Sequence, residues 1–189
     1  MSTGFRLSLH VNVKEQLNKF TFDTDESYEL KIIPPATRTI IYVINITANS
    51  YFGARHAFET LSQLINYDEI TNSLQTFTHA HITDRPAYPY RGVMIDTARN
   101  WVDVETIMEV IDGLSYNKLN VLHWHLTDAQ SFPLQVEKSK NEEDLPYWEM
   151  AQWGSYSTDK IYSAEVDDMM TPMCLHSFQF VFEGFQFCI

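Results

Sequence analysis

Basic residues are scarce in this chain of 189 residues. Thirteen lysines and arginines stand against 25 aspartates and glutamates, a formal charge of −12 at neutral pH. The basic residues are scattered singly and form no stripe, which excludes the clustered cationic surface that a nucleic-acid backbone requires. Long apolar runs are missing too. The most apolar early stretch, Ile40–Ile46, is broken by Asn45 and is far short of the ~20 residues that span a bilayer. The opening MSTGFRLSLH lacks a basic segment followed by an apolar core, so no secretory signal is legible there. Cysteine is nearly absent: Cys174 and Cys188 both lie in the last sixteen residues and fix no redox compartment. No internal repeat or low-complexity tract is present. Asn45-Ile46-Thr47 forms a glycosylation sequon, but it falls inside a strand-like run, where a chance match is the better reading.

What is present is a period that changes along the chain. Phe5, Leu7, Leu9, Val11 and Val13 alternate with polar residues, as in a strand with one wet face. Tyr28, Leu30 and Ile32 repeat the alternation after the polar turn Asp23–Ser27, which predicts an antiparallel meander ended by Pro34-Pro35. Ile40–Ala48 is a third strand. Helical spacing then takes over at Ala54, Ala57, Phe58, Leu61, Leu64 and Ile65, with Ser50 or Asn49 as N-cap. Leu74–Ile82 reads as one more strand. Residues 1–85 are therefore expected to form an α+β domain, an antiparallel sheet with one helix, and Asp84–Pro89 its exit linker.

A second organisation begins at Arg91. Val93-Met94-Ile95 has the continuous apolar character of a strand buried on both faces of a parallel sheet. Asp103 can cap a helix with apolar positions Val104, Ile107, Met108, Ile111 and Leu114; Asn117-Lys118 closes it, and Leu119–Leu126 is the next strand. Strand, helix and strand in about 35 residues make a βαβ unit. Parallel β/α folds gather function at the carboxyl ends of their strands. Asp96, Arg99 and Asp128 are thus expected on one rim. There they could hydrogen-bond a polyhydroxylated ligand, or Asp96 and Arg99 could simply pair with each other. His123 and His125 flank Trp124 and share a strand face. That pattern suits either a metal-dependent hydrolase or packed barrel histidines, and His79 and His81 repeat it where no chemistry is expected.

The segments YRGVMIDTARN and VLHWHLTDAQSFP, joined by a helix ending in NKLN, resemble family 20 glycoside hydrolases, the β-N-acetylhexosaminidases. The preceding ITANSYFGARHAFETLSQLI is similar to the last strand and long helix of that family's non-catalytic α+β domain. WGSYS and KIYSAEVDD are similar to the following loop and helix. The resemblance implies the start of a TIM-barrel catalytic domain over residues 86–168. Arg99 would bind hydroxyls of a terminal N-acetylhexosamine, and Asp128, Asp96 and His125 would lie behind it as support, with Trp124 in the barrel wall. It implies N-acetylhexosamine-terminated glycans as substrate, no cofactor and no metal, and a lysosomal, secreted or membrane-associated location. Association with itself or with a full-length subunit is a further expectation.

The family's substrate-assisted mechanism uses an Asp-Glu pair within HxGGDE, which this sequence does not contain. The Asp-Glu dipeptides here are Asp25-Glu26 and Asp68-Glu69, neither preceded by Gly-Gly. A complete barrel takes ~250 residues, whereas Arg91–Ile189 supplies 99. Residues 169–189, MMTPMCLHSFQFVFEGFQFCI, are expected to be a non-homologous tail in which Phe178, Phe180 and Phe182 could form a short strand. The expectation is a fragment without turnover of its own. Its rivals are a sugar- or subunit-binding isoform and, less favoured, the metal-dependent hydrolase.

Overall fold

A computed structural model describes residues 6–16, 19–35, 41–135, 147–163 and 179–182. The chain divides into two units, residues 1–89 and 90–189. Among the described residues no helix is long and apolar enough to cross a membrane. Phe5, Ile40, Cys174, Phe178, Phe185, Phe187 and Cys188 lie outside the described residues.

In the first unit, strands β1 (Arg6–Val13), β2 (Tyr28–Ile33), β3 (Ile41–Ala48) and β6 (Ala80–Asp84) form one sheet in the order β1-β3-β2-β6. β2 runs antiparallel to both β3 and β6, pairing Leu30 with Ile46 and with Ile82. β1 departs from the expected antiparallel meander. It lies parallel to β3, with Leu9 opposite Ile44 and Val11 opposite Ile46. A two-residue hairpin would have forced β1 beside β2, but the 14 residues Lys14–Ser27 leave it free to pass to the far side of β3. Period-two alternation is the same for either pairing, so the sequence pattern could not separate them.

Helix α1 (Tyr51–Gln63) begins where Ser50 Oγ accepts the Gly53 N–H at 3.3 Å and donates to the Asp25 carbonyl at 2.6 Å. Gly53 is required there, because a Cβ would stand 2.6 Å from the Ser27 carbonyl oxygen. Ala54, Ala57 and Leu61 pack on Tyr28, Leu30, Ile32, Ile44, Ile46 and Ala48. Each fully buried aliphatic side chain in that layer stabilises by about 1.5–3 kcal/mol. Phe58, expected on the same face, is exposed; His56 is buried in the helix instead, its Nε2 2.7 Å from the buried Glu26 carboxylate. The expected strand Leu74–Ile82 is two pieces. β5 (Ser73–Gln75) forms a hairpin with β4 (Asn66–Asp68) around a left-handed Asn72, and only β6 joins the main sheet. Leu74 is exposed, so its apolar side chain never belonged to the buried alternation.

The second unit opens with β7 (Gly92–Asp96), α2 (Val104–Tyr116) and β8 (Val121–His125), the βαβ unit read from the sequence. β7 and β8 are parallel, Ile95 opposite Trp124 and Asp96 opposite His125. Asp103 caps α2, accepting the Thr106 N–H at 2.8 Å, and the helix closes through a left-handed Lys118. Ile107, Ile111 and Leu114 meet Leu122, Trp124, Leu126 and Tyr162 in the core. A third strand, β9 (Gln179–Phe182), pairs parallel with β8, giving the order β7-β8-β9. β7 is consequently an edge strand among the described residues, and Val93 and Met94 are exposed rather than buried on both faces as expected. Helix α3 (Tyr147–Gly154) lies between β8 and β9 in the chain.

Candidate functional site

The carboxyl ends of β7 and β8 deliver four of the expected residues to one place. Asp96 and His125 are the final, register-matched residues of the two strands. The ladder continues one step beyond them, as the Thr97 N–H donates to the His125 carbonyl at 3.0 Å. That turn brings Arg99 back over Asp96. The Arg99 backbone N–H donates to Asp96 Oδ1 at 3.0 Å, and its guanidinium grips Asp96 Oδ2. Asp128 approaches from the other loop, its Oδ2 3.6 Å from Arg99 Nε and 3.6 Å from His125 Nε2. Asp128 is itself aimed by a tight turn: Oδ1 accepts the N–H groups of Gln130 at 2.7 Å and Ser131 at 3.1 Å, while its own N–H donates to the Ser131 carbonyl. One carboxylate oxygen holds the loop and the other faces the cluster.

Of the alternatives left open by spacing, the pairing of Arg99 with Asp96 is observed, and the Arg99 side chain stays 55% exposed. A guanidinium held in place and more than half exposed can still donate to ligand hydroxyls. Burial pushes the Asp96 carboxyl up, but the Arg99 hydrogen bonds and charge, with His125, outweigh it and hold the group below its ordinary value. The Gln130 N–H does most to lower Asp128. Burial opposes it, and the Ser131 N–H, His125 and Arg99 add to the lowering. Both carboxyls are ionised at neutral pH and neither can serve as a proton donor there.

Asp96, His125 and Asp128 also offer three ligand atoms within 4.8 Å of one another. This is not the His123–His125 pair that the HxH spacing suggested; that group does not include His123. The donor set fits a divalent ion poorly, because the Arg99 guanidinium already grips Asp96 Oδ2 and lies 3.6 Å from Asp128 Oδ2, so an ion there would have to displace it.

Trp124, expected in the barrel wall, and residues given no role by the motifs hold the rim in place. Trp124, on the opposite face of β8 from His125, is 2% exposed, and its Nε1 donates to Thr97 Oγ1 at 2.7 Å. Tyr162 is fully buried, stacked on Trp101 and edge-on to Trp124. Its hydroxyl donates to the Val102 carbonyl and accepts the Val102 N–H at 3.3 Å. The Tyr156 hydroxyl donates to the Arg99 carbonyl at 3.4 Å. Thr97 lies inside the IDTAR run, Tyr156 inside WGSYS and Tyr162 inside KIYSAEVDD, but the motifs assign none of the three a role, and the two tyrosines arrive from about sixty residues away.

Known proteins resemble the chain over both units. The family model described as glycosyl hydrolase family 20, catalytic domain, matches residues 88–175, which carries the match past Asp168, where the sequence reading ended it. A second, described as beta-acetyl hexosaminidase like, matches residues 6–64. The chain is 43% identical over 155 residues to the chitooligosaccharidolytic beta-N-acetylglucosaminidase of Bombyx mori, covering 82% of this chain and 24% of that protein. It is 36% identical over 161 residues to the beta-hexosaminidase subunit beta of Rattus norvegicus, covering 84% and 26%. Among solved structures, Flavobacterium johnsoniae chitobiase superposes with a TM-score of 0.70 at 26% identity, over 92% of this chain and 24% of that one. A family 20 exo beta-N-acetylglucosaminidase from Vibrio harveyi, solved with N-acetylglucosamine, gives 0.63 at 25% identity, over 91% and 26%. The chain spans about a quarter of the length of these relatives. With both family models on one chain, in order and each on its own structural unit, this protein belongs to glycosyl hydrolase family 20.

Proposed function

We propose that the rim of β7 and β8 is the sugar-holding portion of a β-N-acetylhexosaminidase pocket, acting on N-acetylhexosamine-terminated glycans or chitooligosaccharides. The observation that carries this is the Arg99 guanidinium, gripped by Asp96, 3.6 Å from Asp128 and still 55% exposed. Arg99 donates to sugar hydroxyls, Asp96 and Asp128 fix its orientation, and His125 supports Asp128 from the strand below. The strands after β8 would continue a TIM barrel.

Hydrolysis of a glycoside needs an acid beside the leaving oxygen. In the substrate-assisted scheme this is the glutamate of a Gly-Gly-Asp-Glu run, absent from these 189 residues. Neither Asp-Glu dipeptide can stand in. Asp25 accepts the Ser27 N–H and Glu26 faces buried His56, while Asp68 organises the β4–β5 turn; all lie in the first unit. The 189-residue chain is therefore proposed to bind the terminal sugar without turning it over. Two measurements test this. Release of aryl alcohol from an aryl N-acetylglucosaminide should stay at the uncatalysed rate, and N-acetylglucosamine should shift NMR resonances around Arg99 in the wild type but not in Arg99→Ala. Turnover that disappears in Arg99→Ala would disprove the binding-only reading.

A further inference from the structure

We propose that Asn45 is the acceptor for an N-linked glycan on the secretory route, and that the glycan shields the open face of the first unit's sheet. Neither Arg99 nor the sugar pocket enters into it.

Asn45-Ile46-Thr47 is the one Asn-x-Ser/Thr sequon in the 189 residues, and no proline stands within it or directly after it. Its place in a strand favoured a chance match, and the register of β3 removes that objection. Ile44, Ile46 and Ala48 are buried in the core that α1 covers. Side chains alternate across a strand, so Asn45 and Thr47 stand together on the opposite face, both partly exposed. That face is polar and open. Asn45 lies between His10 of β1 and Lys31 of β2, with His81 of β6 beyond, and Thr47 lies between Asn12 and Glu29. The side chains of His81, Lys31 and Glu29 are 52%, 39% and 37% exposed. The flanking groups are engaged elsewhere: Lys31 Nζ lies 2.8 Å and His81 Nε2 2.7 Å from Glu29 Oε1, and His10 Nε2 lies 3.2 Å from Ser8 Oγ. Among the described residues the Asn45 amide and the Thr47 hydroxyl make no hydrogen bond. Asparagine is a poor strand residue, so neither packing nor hydrogen bonding accounts for one at the centre of β3.

Glycan transfer acts on a chain that is still extended, so the folded sheet has only to accommodate the product. In the step, Asn45 Nδ2 bonds to the anomeric carbon of an oligosaccharide carried on a lipid diphosphate. The bond from that carbon to the phosphate oxygen breaks, the lipid diphosphate leaves, and one amide proton passes to a basic group of the transferase. No oxidant or reductant takes part. The product amide keeps its carbonyl and one N–H, and its new substituent stands on the face away from Ile44 and Ile46, so nothing in the core under α1 has to move. A glycan is bulky and solubilising, and from Asn45 it extends over the adjacent His10 and Lys31.

Attachment is tested by translating the full chain behind a cleavable secretory signal, with endoplasmic-reticulum membranes present and a control sequon appended after Ile189. The wild type should gain two steps of electrophoretic mass that an endoglycosidase removes. Asn45→Gln and Thr47→Ala should each lose one step, and Thr47→Ser should keep both. Enzymatic release in heavy-oxygen water should leave its mass mark on the peptide containing Asn45. A wild type that carries only the appended glycan overturns the proposal. Shielding is read from acylation of the Lys31 amine in the folded glycoprotein, which should be several-fold slower than after enzymatic removal of the glycan. Equal rates overturn the shielding and, with both glycans still present on the wild type, leave the attachment standing.

Discussion

Thr97→Val should destabilise the second unit by about 1–3 kcal/mol, the cost of leaving one buried donor unsatisfied. The substitution conserves volume and shape but removes the hydroxyl that accepts the Trp124 Nε1 proton at 2.7 Å. Trp124 is 2% exposed and Thr97 is fully buried, so no water is at hand to replace the bond. Trp124→Phe deletes the donor and part of a ring that packs edge-on against Tyr162. Its cost should be larger, about 2–4 kcal/mol, since a cavity is added to the lost hydrogen bond. The two changes share one interaction, so the double variant should be less damaged than the sum by about 1 kcal/mol. All four tryptophans, at 101, 124, 148 and 153, lie in the second unit, which makes tryptophan emission during urea unfolding a reporter of that unit alone. With a slope of about 1.5 kcal/mol/M, Thr97→Val should lower the midpoint by roughly 1 M. A shift below about 0.3 M, or strict additivity in the double variant, would refute the claim that this buried bond secures the strand end from which Arg99 departs.

The first unit contains no tryptophan, so its unfolding is read as the part of the circular-dichroism change that tryptophan emission does not follow. Glu26→Ala or His56→Ala should each cost about 3 kcal/mol, as a buried partner is stranded, while replacing both with apolar residues should cost far less; a double variant that loses the sum of the two single losses would contradict the pairing. The orientation of Arg99 should also depend on pH in a defined direction. Asp96 is held below its ordinary value of 3.8, so its grip on Arg99 is fully present above that pH and is lost only as the pH falls through the lowered folded-state value. Arg99 side-chain resonances should therefore be unchanged from neutrality down to about pH 4 and move only in stronger acid. A change centred near neutrality would assign the control to another group.

Much of this protein is legible along the chain because local rules and tertiary demands agree. Asp103 starts α2 and Ser50 starts α1 since a side-chain oxygen three residues ahead of an amide can cap it regardless of what packs nearby. Asp96, Arg99 and Asp128 could be placed together because strand ends in a parallel β/α unit converge by topology, and their spacing after β7 and β8 left little choice. Alternation in β1 said that one face is wet, but it carries no information on the neighbour. The parallel pairing with β3 was decided by a long connection and by the need to bury Ile44 and Ile46 at the centre of the sheet. Phe58 is exposed where helical spacing expected it buried, and His56, for which the sequence carried no expectation, is buried against a glutamate thirty residues away, Glu26. Tyr156 and Tyr162 join the rim by contacts across about sixty residues, which no periodicity encodes. The sequence by itself determined the long strands, the two long helices and which charged side chains stand at the strand ends. Tertiary structure decided the order of the strands and the hydrogen bonds that hold Arg99 ready, since those depend on partners that only folding brings within 3 to 4 Å.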